Sequence, residues 1–418
     1  MRRLGGLGAC LAASLALAAA AQAKPVTGIV RDVSSGPAVM VHATRAHAAN
    51  LPYDGGPVLH ANRTHVIFWE PAGSGLTFDP GYEQLIEGFL ANVAADSHKT
   101  TSVYGLTGQY GDGHGPAAYD STYGGAVVAT DRLPPNGCSE PPVAGPGWSV
   151  CLTDSQLQAE IEHVVRSDRL PATRDDVYFL VTPKGLGSCI DAGPTDCALG
   201  RLPTGYCAYH SQTNDGLVLY AVIPYNAVPP HCRSGNPRPN DSTADPAVSV
   251  ISHEQSEMVT DPFGNAWINS SGQEDGDLCV ASFGAPIGGS GDRAWNEQIH
   301  GGHYFLQEEW SNFNGRCEPR AKPDRLSFRA AGLARPVGSI AFLARASDPE
   351  GQIVSYSWSF GDGRRGGGGA VSHRYGRPGR YRVVLRTTDS WGNWAFYART
   401  VEVASAGAGR TPRAAKSG

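Results

Sequence analysis

Apolar positions along this chain follow two different periods. His65-Val66-Ile67-Phe68-Trp69 is a continuous run of strand length, and Tyr82–Ala95 follows with Leu85, Phe89, Leu90 and Val93 on one helical face. The same grammar recurs. A helix is expected over Asp154–Arg166, opened by Thr153-Asp154 as a cap and patterned by Leu157, Ile161, Val164 and Val165; strands follow at Val177–Val181 and Leu217–Ile223. Pro229–Asn240 is a Pro-rich connector. Asp245-Pro246 then opens another helix, with Asp245 placed to cap free N–H groups and Pro246 in the first turn, where its missing N–H costs nothing. That helix is expected to end at Asp261-Pro262, because proline disfavours helical geometry in the residue before it. These elements predict an α/β (α+β) domain with large loops.

Past Pro319–Pro323 the period becomes two. Ser355–Phe360 puts Tyr356, Trp358 and Phe360 on one face, and Tyr381–Arg386 does the same for Tyr381, Val383 and Leu385. Gly361-Asp362-Gly363 reads as a turn and Gly366–Gly369 as a hairpin tip, so this part is expected to be an all-β sandwich with two inner faces. Residues 24–61 lack a period and read as an extended arm. Residues 405–418, rich in Ala, Gly and Ser, read as a disordered tail.

Composition narrows the function classes. With 53 Gly and 30 Pro in 418 residues, loops and β-structure are favoured over long helices, while 41% hydrophobic residues suffice for packed cores and exclude a mainly disordered chain. Net charge is −5, so the chain lacks the general attraction for phosphates that nucleic-acid binders use, and no nucleic-acid partner is expected. Arg2-Arg3, the Ala-rich apolar run from Leu11 to Ala21, and Ala21-Gln22-Ala23 ahead of Lys24-Pro25 have the form of a signal peptide spanning 1–23. No comparable apolar stretch follows, so export without a transmembrane segment, to the periplasm or the extracellular space, is the expectation.

Cysteine usage agrees with export. Setting aside Cys10 in the leader, eight remain: Cys138, Cys151, Cys189, Cys197, Cys207, Cys232, Cys279 and Cys317. An even number in an oxidising compartment suits four disulfides in the loops of the α/β part; the pairing stays open, with closure of sequence neighbours the simplest. Cys207 to His210 and His231-Cys232 have zinc-ligand residue types, but oxidised cysteines do not serve as ligands there. Glu308-Glu309 carries no specific signal for a glycosidase pair.

The chemistry concentrates on the capped helix, which contains His253-Glu254-Gln255-Ser256-Glu257, an H-E-x-x-E pattern. Positions 253 and 257 fall on one face, one turn apart, so an imidazole and a carboxylate can reach one cation, leaving Glu254 as general base toward a water. A third ligand is expected from Glu274-Asp275-Gly276-Asp277, where clustered carboxylates repel unless a cation neutralises them; Glu274 is the first choice and Asp277 the second. Zinc is the expected metal, with calcium or manganese as oxygen-favouring alternatives. A solvated helix face is the plain alternative to a site.

Val250 through Pro262, Ala266-Trp267, Glu274 through Cys279, Cys207 through His210 and Tyr304 through Cys317 together resemble the extracellular exordium, or phosphate-induced-protein, family. This implies an exported domain over 62–318 with a zincin-like helix; Glu257, where a zincin has histidine, departs from the peptidase pattern. Asp348-Pro349-Glu350-Gly351, Ser357 through Gly363, His373-Arg374-Tyr375, Pro378 through Val383 and Asp389 through Gly392 resemble a PKD domain, an immunoglobulin-like sandwich, over 323–404. Such a domain implies a spacer or a binder of extracellular protein or polysaccharide, with Trp391 and Trp394 as candidate contacts. The combined expectation is a secreted zinc-dependent metallohydrolase, with a non-catalytic surface- or matrix-binding protein as the alternative.

Overall fold

The structure, a computed structural model, describes residues 26–31, 50–99, 102–139, 148–193, 195–199, 205–229, 231–320, 324–331, 339–348, 352–389 and 394–403. The expected signal peptide, the 405–418 tail and Trp391 lie outside the described residues, as does the side chain of Trp394.

The α/β part is built on a six-stranded sheet: β1 (Thr27–Arg31), β2 (Asn62–Trp69), β3 (Ser121–Ala129), β4 (Asp176–Val181), β5 (Tyr206–Gln212) and β6 (Leu219–Ile223), in the order β1-β5-β6-β4-β2-β3. Neighbours from β6 to β3 pair in parallel, while β5 and β1 add an antiparallel edge. Parallel strands need covered faces, which explains the unbroken apolar runs in β2, β4 and β6. Helices α1 (Tyr82–Ala95) and α3 (Asp245–Thr260) cover one face; α2 (Asp154–Ser167) covers the other. On β2 the split is direct: Val66 and Phe68 point to α1 and α3, Ile67 and Trp69 to α2. The stretch read as an extended arm supplies β1, and its Leu51, Val58 and Leu59 are buried in the core.

Two local expectations change. Asp245 does not cap α3: Ala244 is the N-cap, and the Asp245 carboxylate instead accepts the N–H groups of Asn240 and Ser242 and the Asn240 amide, tying down the connector. Its position one residue inside the helix faces the carboxylate backwards. The solvated-face alternative for α3 also fails, since all sixteen residues of that helix are buried.

The sequential disulfides form: Cys138–Cys151, Cys189–Cys197, Cys207–Cys232 and Cys279–Cys317. The last spans 38 residues and fastens the acidic segment to the short strand Arg316–Glu318, a closure contributing on the order of 3–4 kcal/mol by the loop-entropy account.

The C-terminal part is a β-sandwich. β7 (Asp324–Ala331), β8 (Ser339–Ser347) and β11 (Ala370–Arg374) form one sheet; β10 (Arg365–Gly367), β9 (Ile353–Ser359), β12 (Gly379–Asp389) and β13 (Trp394–Val403) form the other. Phe328, Ile340 and Phe342 meet Trp358, Phe360, Val383 and Leu385 between them. The glycine run is not a hairpin tip: Gly366 and Gly367 belong to β10, which pairs with β9, and Gly368, at φ +93°, begins the passage to β11 in the opposite sheet. The β9–β10 turn is Gly361-Asp362-Gly363.

Candidate metal centre

Helix α3 uses its two sides differently. Ala247, Val248, Ile251 and Met258 join the apolar core against the sheet, each large side chain contributing about 1.5–3 kcal/mol by burial. His253, Glu254 and Glu257 are equally buried but polar, and they face the Glu274–Cys279 segment, β1 and β5. The sheet register decides what β5 brings. His210 pairs with Ala221, whose side chain lies on the α3 face, so the His210 imidazole is delivered to the helix.

Two groups of donors result. In the first, His253 Nε2 stands 2.9 Å from Glu257 Oε1 and 3.9 Å from Asp277 Oδ1, and the Asp277 N–H donates to Glu257 Oε1 at 2.9 Å. In the second, His210 Nδ1 stands 3.8 Å from Glu254 Oε2, and its Nε2 stands 3.6 Å from Glu274 Oε1. One ligand atom from each of His253, Glu257 and Asp277 lies within 4.8 Å of the others, and the same holds for His210, Glu254 and Glu257. Around a tetrahedral ion with bonds of about 2.0–2.2 Å, ligand atoms are roughly 3.3–3.6 Å apart, so small adjustments suffice.

Every residue predicted for the site is therefore in one buried cluster, with a division of places. Asp277, the second choice for a third ligand, stands with His253 and Glu257; Glu274, the first choice, faces His210 instead. His210 was weighed only as a zinc ligand alongside Cys207 and set aside with it, so its part in this cluster was missed. Its neighbour Cys207 is in a disulfide, as expected, but the histidine enters the cluster alone. Strand alternation on β5, together with pairing to β6, was the signal that could have found it. Gln307 was also missed: its side-chain amide lies 2.9 Å from His253 Nδ1 and donates to the Gly276 carbonyl, fixing the ring plane. Asp275 takes no part in either group; it accepts the Ser256 and Thr260 hydroxyls and staples the loop to α3.

Electrostatics make the cluster costly without a cation. His210, Glu254, Glu257 and Glu274 are each 0% exposed. Burial pushes the carboxyls of Glu254, Glu257, Glu274 and Asp277 well above the ordinary range, and their mutual repulsion adds to it. Burial likewise pushes His210 down to about 3, helped by the nearby His253, and lowers His253. Arg31, at the end of β1, lowers Asp277 through its charge, but burial and the neighbouring Glu257 outweigh it. Protons alone would not satisfy the site, because both oxygens of Glu254 and of Glu274 and both ring nitrogens of His210 lack any hydrogen bond. Neutral imidazoles beside carboxylates are the donor set of a divalent metal.

A cleft lined by Val30, Arg31, Ser249, Val250, Phe305 and Gln307, among others, has none of the cluster's histidines or carboxylates in its wall; Gln307, which contacts His253, is the link between the two.

Comparison with known proteins bears on the C-terminal part. Residues 333–403 are a PKD domain. The PKD domain resembles parts of larger proteins: the chain is 42% identical over 74 residues to a microbial collagenase of Vibrio alginolyticus, covering 18% of this chain and 9% of that one. It is 33% identical over 58 residues to collagenase ColA of Clostridium perfringens, covering 14% and 5%. The chain thus spans less than a tenth of these curated relatives. Among solved structures, the PKD1 domain of Vibrio anguillarum Epp is 30% identical, covering 20% of this chain and 96% of that one, with a TM-score of 0.19. No helix among the described residues is long and apolar enough to cross a membrane.

Proposed function

We propose that this chain is an exported metalloprotein in which a zinc ion held by His253, Glu257 and Asp277 locks α3 to the acidic loop, and in which the PKD domain binds an extracellular protein or polysaccharide. One observation carries the metal: buried histidine and carboxylate donors converge, with His253 Nε2, Glu257 Oε2 and both donor atoms of His210, Glu254 and Glu274 left without a hydrogen bond. The imidazole favours zinc over calcium, whose ligands are oxygens. A structural role is favoured because the donors are sealed, whereas a catalytic zinc keeps a position open to water and substrate. The signal-like leader, the four disulfides and the resemblance of 62–318 to the exordium family support export, and the collagenase relatives support a matrix setting.

Hydrolysis of peptide bonds is the second reading, and Glu254 is the observation that favours it. It follows His253 directly and neither of its oxygens is hydrogen-bonded, so it is free to accept a proton from an attacking water once Gln307 yields access from the cleft. Bound zinc would supply an acidified water and a polarised carbonyl. The deciding experiment is metal content of purified protein, followed by incubation with casein and a peptide library. Stoichiometric metal without cleavage supports the structural reading; cleavage that disappears on metal removal replaces it with the hydrolase; absence of bound metal overturns both.

A further inference from the structure

The trio His253, Glu257 and Asp277 uses only part of what is buried here. His210 presents two ring nitrogens, and Glu254 and Glu274 two oxygens each, none of them hydrogen-bonded, in residues that are 0% exposed. Leaving such groups unsatisfied in the interior is costly, since each loses its water without gaining a partner. Glu257 links the two sets. Its Oε1 belongs to the His253 side, accepting the Asp277 N–H, while its Oε2 makes no hydrogen bond and turns toward His210.

β1 leaves room on that second side. At Gly28 a β-carbon would stand 2.6 Å from Glu257 Oε2 and from His210 Cε1, and 2.7 Å from His210 Nδ1. The backbone there has φ +52°, which favours glycine, so the strand closes over the donors without a side chain between them.

We propose that the centre is dinuclear: one divalent cation on His253, Glu257 Oε1 and Asp277, a second on His210 Nδ1, Glu254 and Glu257 Oε2, with the Glu257 carboxylate bridging them. This rests on the reading that the cluster holds a cation at all. The second set, one imidazole and two carboxylates, suits zinc or manganese. Glu274, near the other ring nitrogen of His210, is placed to accept its N–H and so to fix the tautomer that frees Nδ1 for the metal. Glu254 is then a ligand, which agrees with a sealed structural centre. A second cation also offsets charge that one divalent ion leaves over, since five carboxylates with Asp275 crowd the site.

The test uses the full chain, stripped with chelator, reloaded with Mn²⁺ alone and freed of excess. Two Mn²⁺ per chain by elemental analysis, with the broadened spectrum of an exchange-coupled pair in electron paramagnetic resonance, is the expected result. His210→Asn should then hold one Mn²⁺ per chain, with the six-line spectrum of an isolated ion. One ion per chain in the unaltered protein, after loading with Mn²⁺ and in a parallel sample with Zn²⁺, overturns the dinuclear proposal while leaving the metal reading intact, and no bound ion of either kind overturns both. Two uncoupled ions overturn the shared Glu257. Should His210→Asn fail to fold, stoichiometry and coupling in the unaltered chain decide the matter.

Discussion

Gly276 lies flat against the His253 ring: a β-carbon on it would stand 2.7 Å from Nδ1 and Cε1 of that histidine and 2.9 Å from Glu257 Oε1. Its backbone is ordinary, at φ −69°, so the glycine is required by space and not by conformation. Gly276→Ala should therefore displace the imidazole, lower metal affinity and cost on the order of 1–3 kcal/mol of stability by overpacking. Gly88→Ala, exposed on α1 with nothing near its β-carbon, is the control and should stabilise by about 0.5–1 kcal/mol. Thermal melts and zinc titrations of both variants check this.

Removing the metal should loosen the α3–loop junction first. A ligand present at about a hundred times its dissociation constant stabilises by about 2.7 kcal/mol, so chelation should lower the melting temperature by several degrees and zinc should restore it. The β-sandwich has its own core and no metal-ligand cluster among its described residues, so its transition should not move. Calorimetry that resolves the two parts, with and without chelator, is the measurement; an unchanged first transition would sink the metal reading.

Local patterns were legible in the sequence, and non-local ones were not. Tyr82–Ala95 shows its apolar face within its own residues, and the structure has a helix over that span. The disulfides close between sequence neighbours, where the simplest pairing is also the cheapest in chain entropy. His253 and Glu257 were visible for the same reason, one turn apart on a helix. His210 was not, because its approach to Glu254 depends on the pairing of β5 with β6, and a one-residue slip would have turned it to the α2 face. The choice between Glu274 and Asp277 was equally out of reach: it depends on the short helical turn Asp277–Cys279, which aims neighbouring carboxylates at different histidines.

Glu160 on α2 should make stability depend on pH. Burial, with a smaller contribution from Asp131, pushes its carboxyl up to about 7 from an ordinary 4.5. Between those values the folded chain keeps a proton that the unfolded chain has released, so the contribution of this group to stability falls as pH rises through that window. Below about pH 4 both states are protonated and the penalty vanishes. Glu160→Gln should therefore stabilise at pH 8 by on the order of 1–2 kcal/mol, after discounting for solvent screening, and change little at pH 4. Denaturant melts of both proteins across that range would show a constant difference if the idea is wrong.

Glu254→Gln separates the structural from the catalytic reading, because the substitution keeps the shape and removes the charge and basicity. In a hydrolase with Glu254 as general base, the variant should retain its zinc and lose cleavage by about 10²–10⁴-fold. In the structural reading there is no cleavage to lose, and the consequence appears in binding: a carboxylate converted to an amide is a poorer ligand beside His210, so one ion is held more weakly while the His253 group keeps its own. With the dinuclear centre proposed above, Glu254→Gln should accordingly lower zinc occupancy from two per chain toward one, with casein and peptide digests blank for both proteins. Full occupancy together with lost proteolysis would reverse the assignment, making Glu254 the base and the sealed cluster a closed state of an active site.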